Sequence, residues 1–268
     1  GTLSGVTQNT SANAVLTADI VVNENVLKPD GTLNEGTFKE WTPIGNTCNG
    51  SYSPYTGIFE GQNHTISGLY FKKENTSEVG FFGYNGGKIS NVGILDSYFC
   101  GFSQVGGVCG YNSSTITNCY NKGVVDGTAD GASSFGGVCG CNLGILTNCY
   151  NTGIVSGQLF VGGVSGNNNG TITNCYNTGI VKGQSFVGGV SGNNSRTITN
   201  CYYDSTIYTG VAIGENLETT TKVEGKTTDE FKTGEVAYLL QLDQSDEVWG
   251  QTIGTDTYPT LGGAKVYK

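Results

Sequence analysis

The sequence is poor in the side chains that do most chemistry: it has one histidine, His64, one arginine, Arg196, no methionine and only 4 prolines in 268 residues. A single histidine rules out a metal site built on two imidazoles, and any His-based triad or shuttle would have to be built on His64 itself. The 13 basic residues are outnumbered by 22 acidic ones, giving a formal charge of −9. Binding a phosphate backbone needs Lys and Arg clustered on one face, so nucleic acid is excluded as a partner class. No stretch approaches the ~20 apolar residues of a membrane-spanning helix, and the opening GTLSGVTQNT has no charged-then-apolar signal pattern. The absence of an initial Met reads as a piece of a longer or processed protein.

Glycine is abundant, at 44 residues, but no Gly-X-Y period runs through the chain, so collagen is excluded. Disorder is excluded too, because Val, Ile, Phe and Tyr recur at regular positions and form enough apolar surface to bury.

The recurrence has a measurable period. VGGV begins at 105, FGGV at 135, and VGGV again at 161 and 187; NCYN begins at 118, 148 and 174, and NCYY at 200. Both series step by 30, 26 and 26, and a degraded copy, VGFFG at 79 followed by ISNVG at 89, lies one step upstream. The longer step is an insertion near 128–132, which a surface loop accommodates. Each repeat contains three β-prone runs, such as VGGVS, TITNCY and GIVSG, broken by Gly and Asn. Three strands and three turns in about 26 residues predict one rung of a three-sided parallel β-solenoid, whose rungs bury one another.

Rungs stack at the inter-strand spacing of about 4.8 Å, so equivalent residues form columns. Ile116, Ile172 and Ile198, with Leu146 or Ile145 in the second rung, are read as one buried column, and Val108, Val138, Val164 and Val190 as another. Cys119, Cys149, Cys175 and Cys201 stack as a third, Asn118, Asn148, Asn174 and Asn200 as an amide ladder at a bend, and Tyr120, Tyr150, Tyr176 and Tyr202 as an aromatic strip. Residues 1–78 are expected to form irregular rungs, 79–205 the regular repeats, and 206–268 a capping segment. That last stretch holds TTDEFKTGEVAYLLQL, the best helical candidate, with Thr228 or Asp229 as N-cap. It is expected to close the apolar cross-section at the solenoid's end as an α/β cap.

The word GG-apolar-apolar-G followed by N-x-G-x-I-x-NCYN resembles the GLUG repeat of bacterial cell-surface proteins. WTPIG, GIFEGQNHTISGLYF and VWGQTIGTDTYPTL fit the same resemblance. It implies an all-β, right-handed parallel β-helix, secreted or held at a bacterial surface, of the kind that accompanies IgA-specific metallopeptidases and adhesin-like proteins. The peptidase chemistry does not transfer, because the chain has no HExxH. Expected partners are a host glycan or glycoprotein, the isolated domain being a monomer that needs no cofactor.

Three functional classes follow. The first is a noncatalytic stalk or adhesive surface, with the four tyrosines as ligand face if they are exposed. The second is a carbohydrate-active enzyme, which needs converging carboxylates. Between 97 and 203 the only charged residues are Lys122, Asp126, Asp130, Lys182 and Arg196, so carboxylates such as Glu60 or Asp204 at the ends are the remaining candidates. Asp126 and Asp130 are placed in the inserted loop, as turn-solvating residues or a calcium site. The third is an ice-binding array of the TIT threonines at 115–117, 171–173 and 197–199, broken by Ile145 and Lys88. His64 is assigned to a structural turn. The nine cysteines lack paired zinc spacing and read as small core residues, with bridges between adjacent rungs left open by the spacing.

Overall fold

The computed structural model describes residues 8–46, 53–218 and 221–266. Its body is a parallel β-solenoid in which the regular turns from 103 onward are cut into as many as five short strands, each in its own ladder. In one turn the strands are Ser103–Gly106, Cys109–Asn112, Thr115–Thr117, Tyr120–Asn121 and Val124–Asp126. They join sheets of four, six, seven, eight and five strands respectively, all paired in parallel. The sequence reading merged strands that the chain bends apart. TITNCY is divided by Asn118, held in the left-handed region at φ 54°, and Asn91, Asn148, Asn174 and Asn200 do the same in neighbouring turns at 50–57°. Asn tolerates that conformation better than most residues, which is why it recurs there.

The columns fill the interior. Ile116, Leu146, Ile172 and Ile198 are fully buried, as are Val108, Val138, Val164 and Val190, while Ile145 points outward and is 46% exposed. Cys119, Cys149, Cys175 and Cys201 lie in the same core, and Val92 occupies their position one turn earlier. The eight described cysteines are all free thiols. Each Sγ of the four-membered column donates to the carbonyl two residues before it at 3.2–3.3 Å, and Cys149 N donates to Cys175 Sγ at 3.3 Å.

Two buried amide ladders escaped the sequence reading. Asn85, Asn112, Asn142, Asn168, Asn194 and Asn216 donate each to the next, Nδ2 to Oδ1, at 2.8–2.9 Å. Asn121, Asn151 and Asn177 do so at 2.8–2.9 Å, each also bracketing the backbone of the glycine two residues on. A buried amide of this kind has four hydrogen-bonding sites to satisfy, and the stacked neighbour supplies two of them.

The same ladders explain the glycine word. A Cβ on Gly107, Gly137 or Gly163 would overlap the side-chain amide of Asn121, Asn151 or Asn177. A Cβ on Gly140, Gly166 or Gly192 would overlap the backbone at Gln104, Ser134 or Phe160, the left-handed residue that bulges from the first strand of the preceding turn. Pairing skips that residue, since Ser103 faces Ser133 and Val105 faces Phe135.

Replacing Asn142 by Ala is expected to cost about 3 kcal/mol, because it strands the Asn112 donor and the Asn168 acceptor inside the core. Urea unfolding of Asn142→Ala beside Ser113→Ala at the adjacent corner checks it; equal midpoints for the two would show that the ladder contributes nothing.

Candidate functional site

The outer faces of two ladders are covered by the two ends of the chain. The tail after Lys226 forms helix α1 (Thr228–Lys232) and helix α2 (Glu235–Gln241), followed by a short antiparallel pair, Trp249–Gly250 with Thr260–Leu261. Thr227, one residue before the expected position, is the N-cap. Its side chain accepts from Glu230 N while the Glu230 carboxylate accepts from Thr227 N, a capping box. Gly234 at φ 82° ends α1 and divides the single helix the sequence suggested.

Of the expected capping segment, Ile213–Asn216 and Val223–Lys226 add strands over the last regular turn, with Ala212, Ile213 and Val223 packed on the core, and the tail follows them. It lies on the flank, where Phe231, Val236, Leu240 and Trp249 pack on Tyr150, Tyr176 and Tyr202. The tyrosines form a stack with ring centroids 4.7–5.0 Å apart and nearly parallel planes from Tyr120 to Tyr176. Tyr150, Tyr176 and Tyr202 are 5%, 1% and 5% exposed, so the strip is an internal seam and not an exposed ligand face; only Tyr120, beyond the tail, is half-buried. The physical reason is that a row of four rings left bare would be a large apolar patch, and the tail's own apolar face needs a partner.

The bend asparagines serve the same docking. Asn118 donates to Asn91 at 2.8 Å and Asn200 to Asn174 at 2.7 Å. Asn148 leaves the ladder, donating to Gln244 Oε1 at 2.9 Å and accepting from Trp249 Nε1 at 3.2 Å, and Asn200 also donates to Leu239 O. Tyr176 OH donates to Pro259 O at 2.6 Å. Asp204, buried, accepts from Thr228 Oγ1 at 2.6 Å and Tyr258 OH at 2.9 Å, tying the last regular turn to both ends of the tail. Lys226 pairs with Glu235 and Glu224.

At the other end, residues 23–40 form a strap over the fifth ladder. Val26 is fully buried there against Tyr98, Cys100 and Val124, with Phe38 and Ile154 at its margins. Asp96 fastens it, each carboxylate oxygen accepting one backbone N–H, from Val26 at 3.0 Å and Leu27 at 2.7 Å. Asp96 and Asp204 occupy the corner between the fourth and fifth ladders, and Lys122, Thr152 and Thr178 occupy it in the turns between. An open groove of about 670 Å³ lies between the strap and this corner.

The other polar candidates are spoken for within the structure. Asp126 is not a loop residue but ends a strand; its carboxylate accepts from Tyr98 OH and Ser156 Oγ, both at 2.8 Å. Glu60 accepts from Ser90, Asn91 and Gln62 N, and these hydrogen bonds hold its carboxyl below the usual range against the opposing effect of partial burial. His64 Nδ1 lies 3.3 Å from Asp19 Oδ1 on the surface. Among the described residues no three His, Cys, Asp or Glu side chains gather as a metal site would require.

Residues 103–126 match the GLUG motif, the turn whose glycines and asparagines are accounted for above. The chain is similar to halomucin of Haloquadratum walsbyi, 31% identical over 105 residues, which is 38% of this chain and 1% of halomucin. The chain therefore spans a very small part of that relative. In fold it is similar to the crystal structure of a candidate immunoglobulin A1 protease from Bacteroides ovatus, with a TM-score of 0.67 at 21% identity, covering 94% of this chain and 86% of the other.

Trp249→Ala is expected to cost about 3–5 kcal/mol and to make residues 228–261 the first site of limited proteolysis, whereas exposed Leu242→Ala stays within about 0.5 kcal/mol. Equal protease resistance in both variants would sink this account of the docking. Burial also pushes Cys119, Cys149, Cys175 and Tyr176 well above their ordinary values and Cys141 and Tyr202 up to about 12. The unfolded chain releases those protons from about pH 8.5–10 while the folded one keeps them, so this stability is full below about pH 8 and falls as pH rises. The urea midpoint is expected to drop steadily from pH 8 to 10.5, and a flat profile would contradict the assignment.

Proposed function

We propose that this chain is a noncatalytic β-solenoid module of an extracellular or cell-surface bacterial protein, which holds a ligand-binding wall at a fixed distance and orientation. The observation that carries the reading is the in-register stack of parallel ladders whose outer tyrosine and apolar columns are sealed by the chain's own two ends. A body built this way bends little, because every turn is bonded to the next along as many as five ladders. What remains outward over the regular turns mixes hydrogen-bonding groups such as Ser113, Asn169, Gln184 and Thr197 with exposed apolar side chains, Leu143, Ile145, Ile180 and Phe186.

The GLUG match and the likeness to halomucin support a surface role, and the engagement of Glu60, Asp126 and Asp204 by neighbouring donors supports a structural rather than catalytic use of these carboxylates. As an adhesive module, the chain is expected to bind saturably to at least one member of a panel of mucins, glycans, immunoglobulins and matrix proteins. The check is surface plasmon resonance with the reduced monomer. No response to the whole panel at high micromolar concentration would remove the adhesive role and leave a spacer.

A further inference from the structure

The groove beside the strap has the composition of a ligand site. Its volume of about 670 Å³ lies within the ~300–1,000 Å³ typical of small-ligand sites. Lys28, Asp30 and Asn34 come from the strap, and Lys122, Thr152 and Ile154 from successive turns of the solenoid. The two acids in it already have partners: Asp96 is held by two backbone N–H groups, and Asp30 accepts from Thr32 N and Oγ1 at 2.9 and 2.7 Å. Lys122 has no carboxylate partner among the described residues; its ammonium sits 5.5 Å over the ring of Tyr120, the one tyrosine of the stack that the tail leaves half-open. Lys28 and Lys122 balance Asp30 and Asp96 in formal charge, so the groove selects neither anions nor cations.

We infer that this groove is a binding site for an uncharged oligosaccharide laid along the solenoid axis; the inference rests on the adhesive reading and gives it a location and a ligand class. Three features argue for that class. Charged donors and acceptors of both signs, with the Asn34 amide and Thr152 hydroxyl, match vicinal hydroxyls, which donate and accept at once. Ile154 and Val124 offer apolar surface to the C–H face of a sugar. The corner residues recur once per turn, at about the 4.8 Å ladder spacing, so a linear polymer with repeating hydroxyls meets a new hydrogen-bonding side chain at each turn.

The test is a ¹⁵N NMR titration of the full chain with neutral gluco-, manno- and galacto-oligosaccharides and with sialylated and uronic-acid oligosaccharides, followed by calorimetry. Expected is saturable binding of a neutral oligosaccharide, with amide shifts at 28–34, 122 and 152–154. Lys122→Ala and Thr152→Trp, the second filling the groove, are each expected to weaken it at least tenfold while leaving the urea midpoint in place. Shifts centred elsewhere, wild-type affinity in both variants, or preference for the acidic sugars would overturn the groove assignment and leave the adhesive reading standing. Binding to a protein of the panel with no response to any sugar would do the same. Silence across both sugars and proteins would overturn the two together.

Discussion

Everything in this molecule depends on one constraint: each residue of a turn lies about 4.8 Å from its equivalents above and below, and must suit copies of itself. Asn satisfies it by turning its donor to one neighbour and its acceptor to the other, which is why the ladder is continuous from Asn85 through buried Asn194 to Asn216 at the surface. Cys, Val and Ile satisfy it by packing, and Tyr by stacking ring on ring. Charge violates it, since like charges one turn apart repel. The scarcity of Lys, Arg, Asp and Glu between 97 and 203 is therefore a property of the architecture before it is a clue to function.

Stacking solves the interior and creates a problem outside. A column that faces outward and is apolar becomes a stripe, and two such stripes occur here side by side, the tyrosines of the fourth ladder and Tyr70, Tyr98, Val124 and Ile154 of the fifth. The chain covers one with its tail and most of the other with its strap, each fastened by a carboxylate at the corner between them, Asp204 and Asp96. Lateral covers of this kind keep those apolar stripes from forming large exposed patches.

The sequence revealed the solenoid, its period and its core columns because they are written in copies, and a copy is a long-range signal that needs no knowledge of what it touches. It concealed the strap and the tail's seat because each occurs once. The position of Thr227 was readable as a capping box, T-T-D-E, and one residue of register separated it from the choice of Thr228. The tyrosine strip was legible as a column but not as a buried one. Nothing local to NCYN states that Trp249, a hundred residues downstream of Asn148, will reach that bend. The asparagine of YNSS and GCN was hidden for a different reason: short strands bounded by Gly look like turns, and a turn is the ordinary place for Asn.

The departures from repetition are consequently the most informative positions. Along the corner column the residue changes from Leu95 to Lys122, Thr152, Thr178 and Asp204, with Asp96 one place further along the same corner, while the core columns of Val108 and Ile116 barely change. A position that stacking would allow to be the same in every turn, and that is different in every turn but one, is being set by something other than its neighbours in the column. At Asp96 and Asp204 that something is the chain's own ends. At Lys122 the ammonium rests over the Tyr120 ring of its own turn, and at Thr152, where strap and tail leave the wall open, the side chain lines the groove beside the strap.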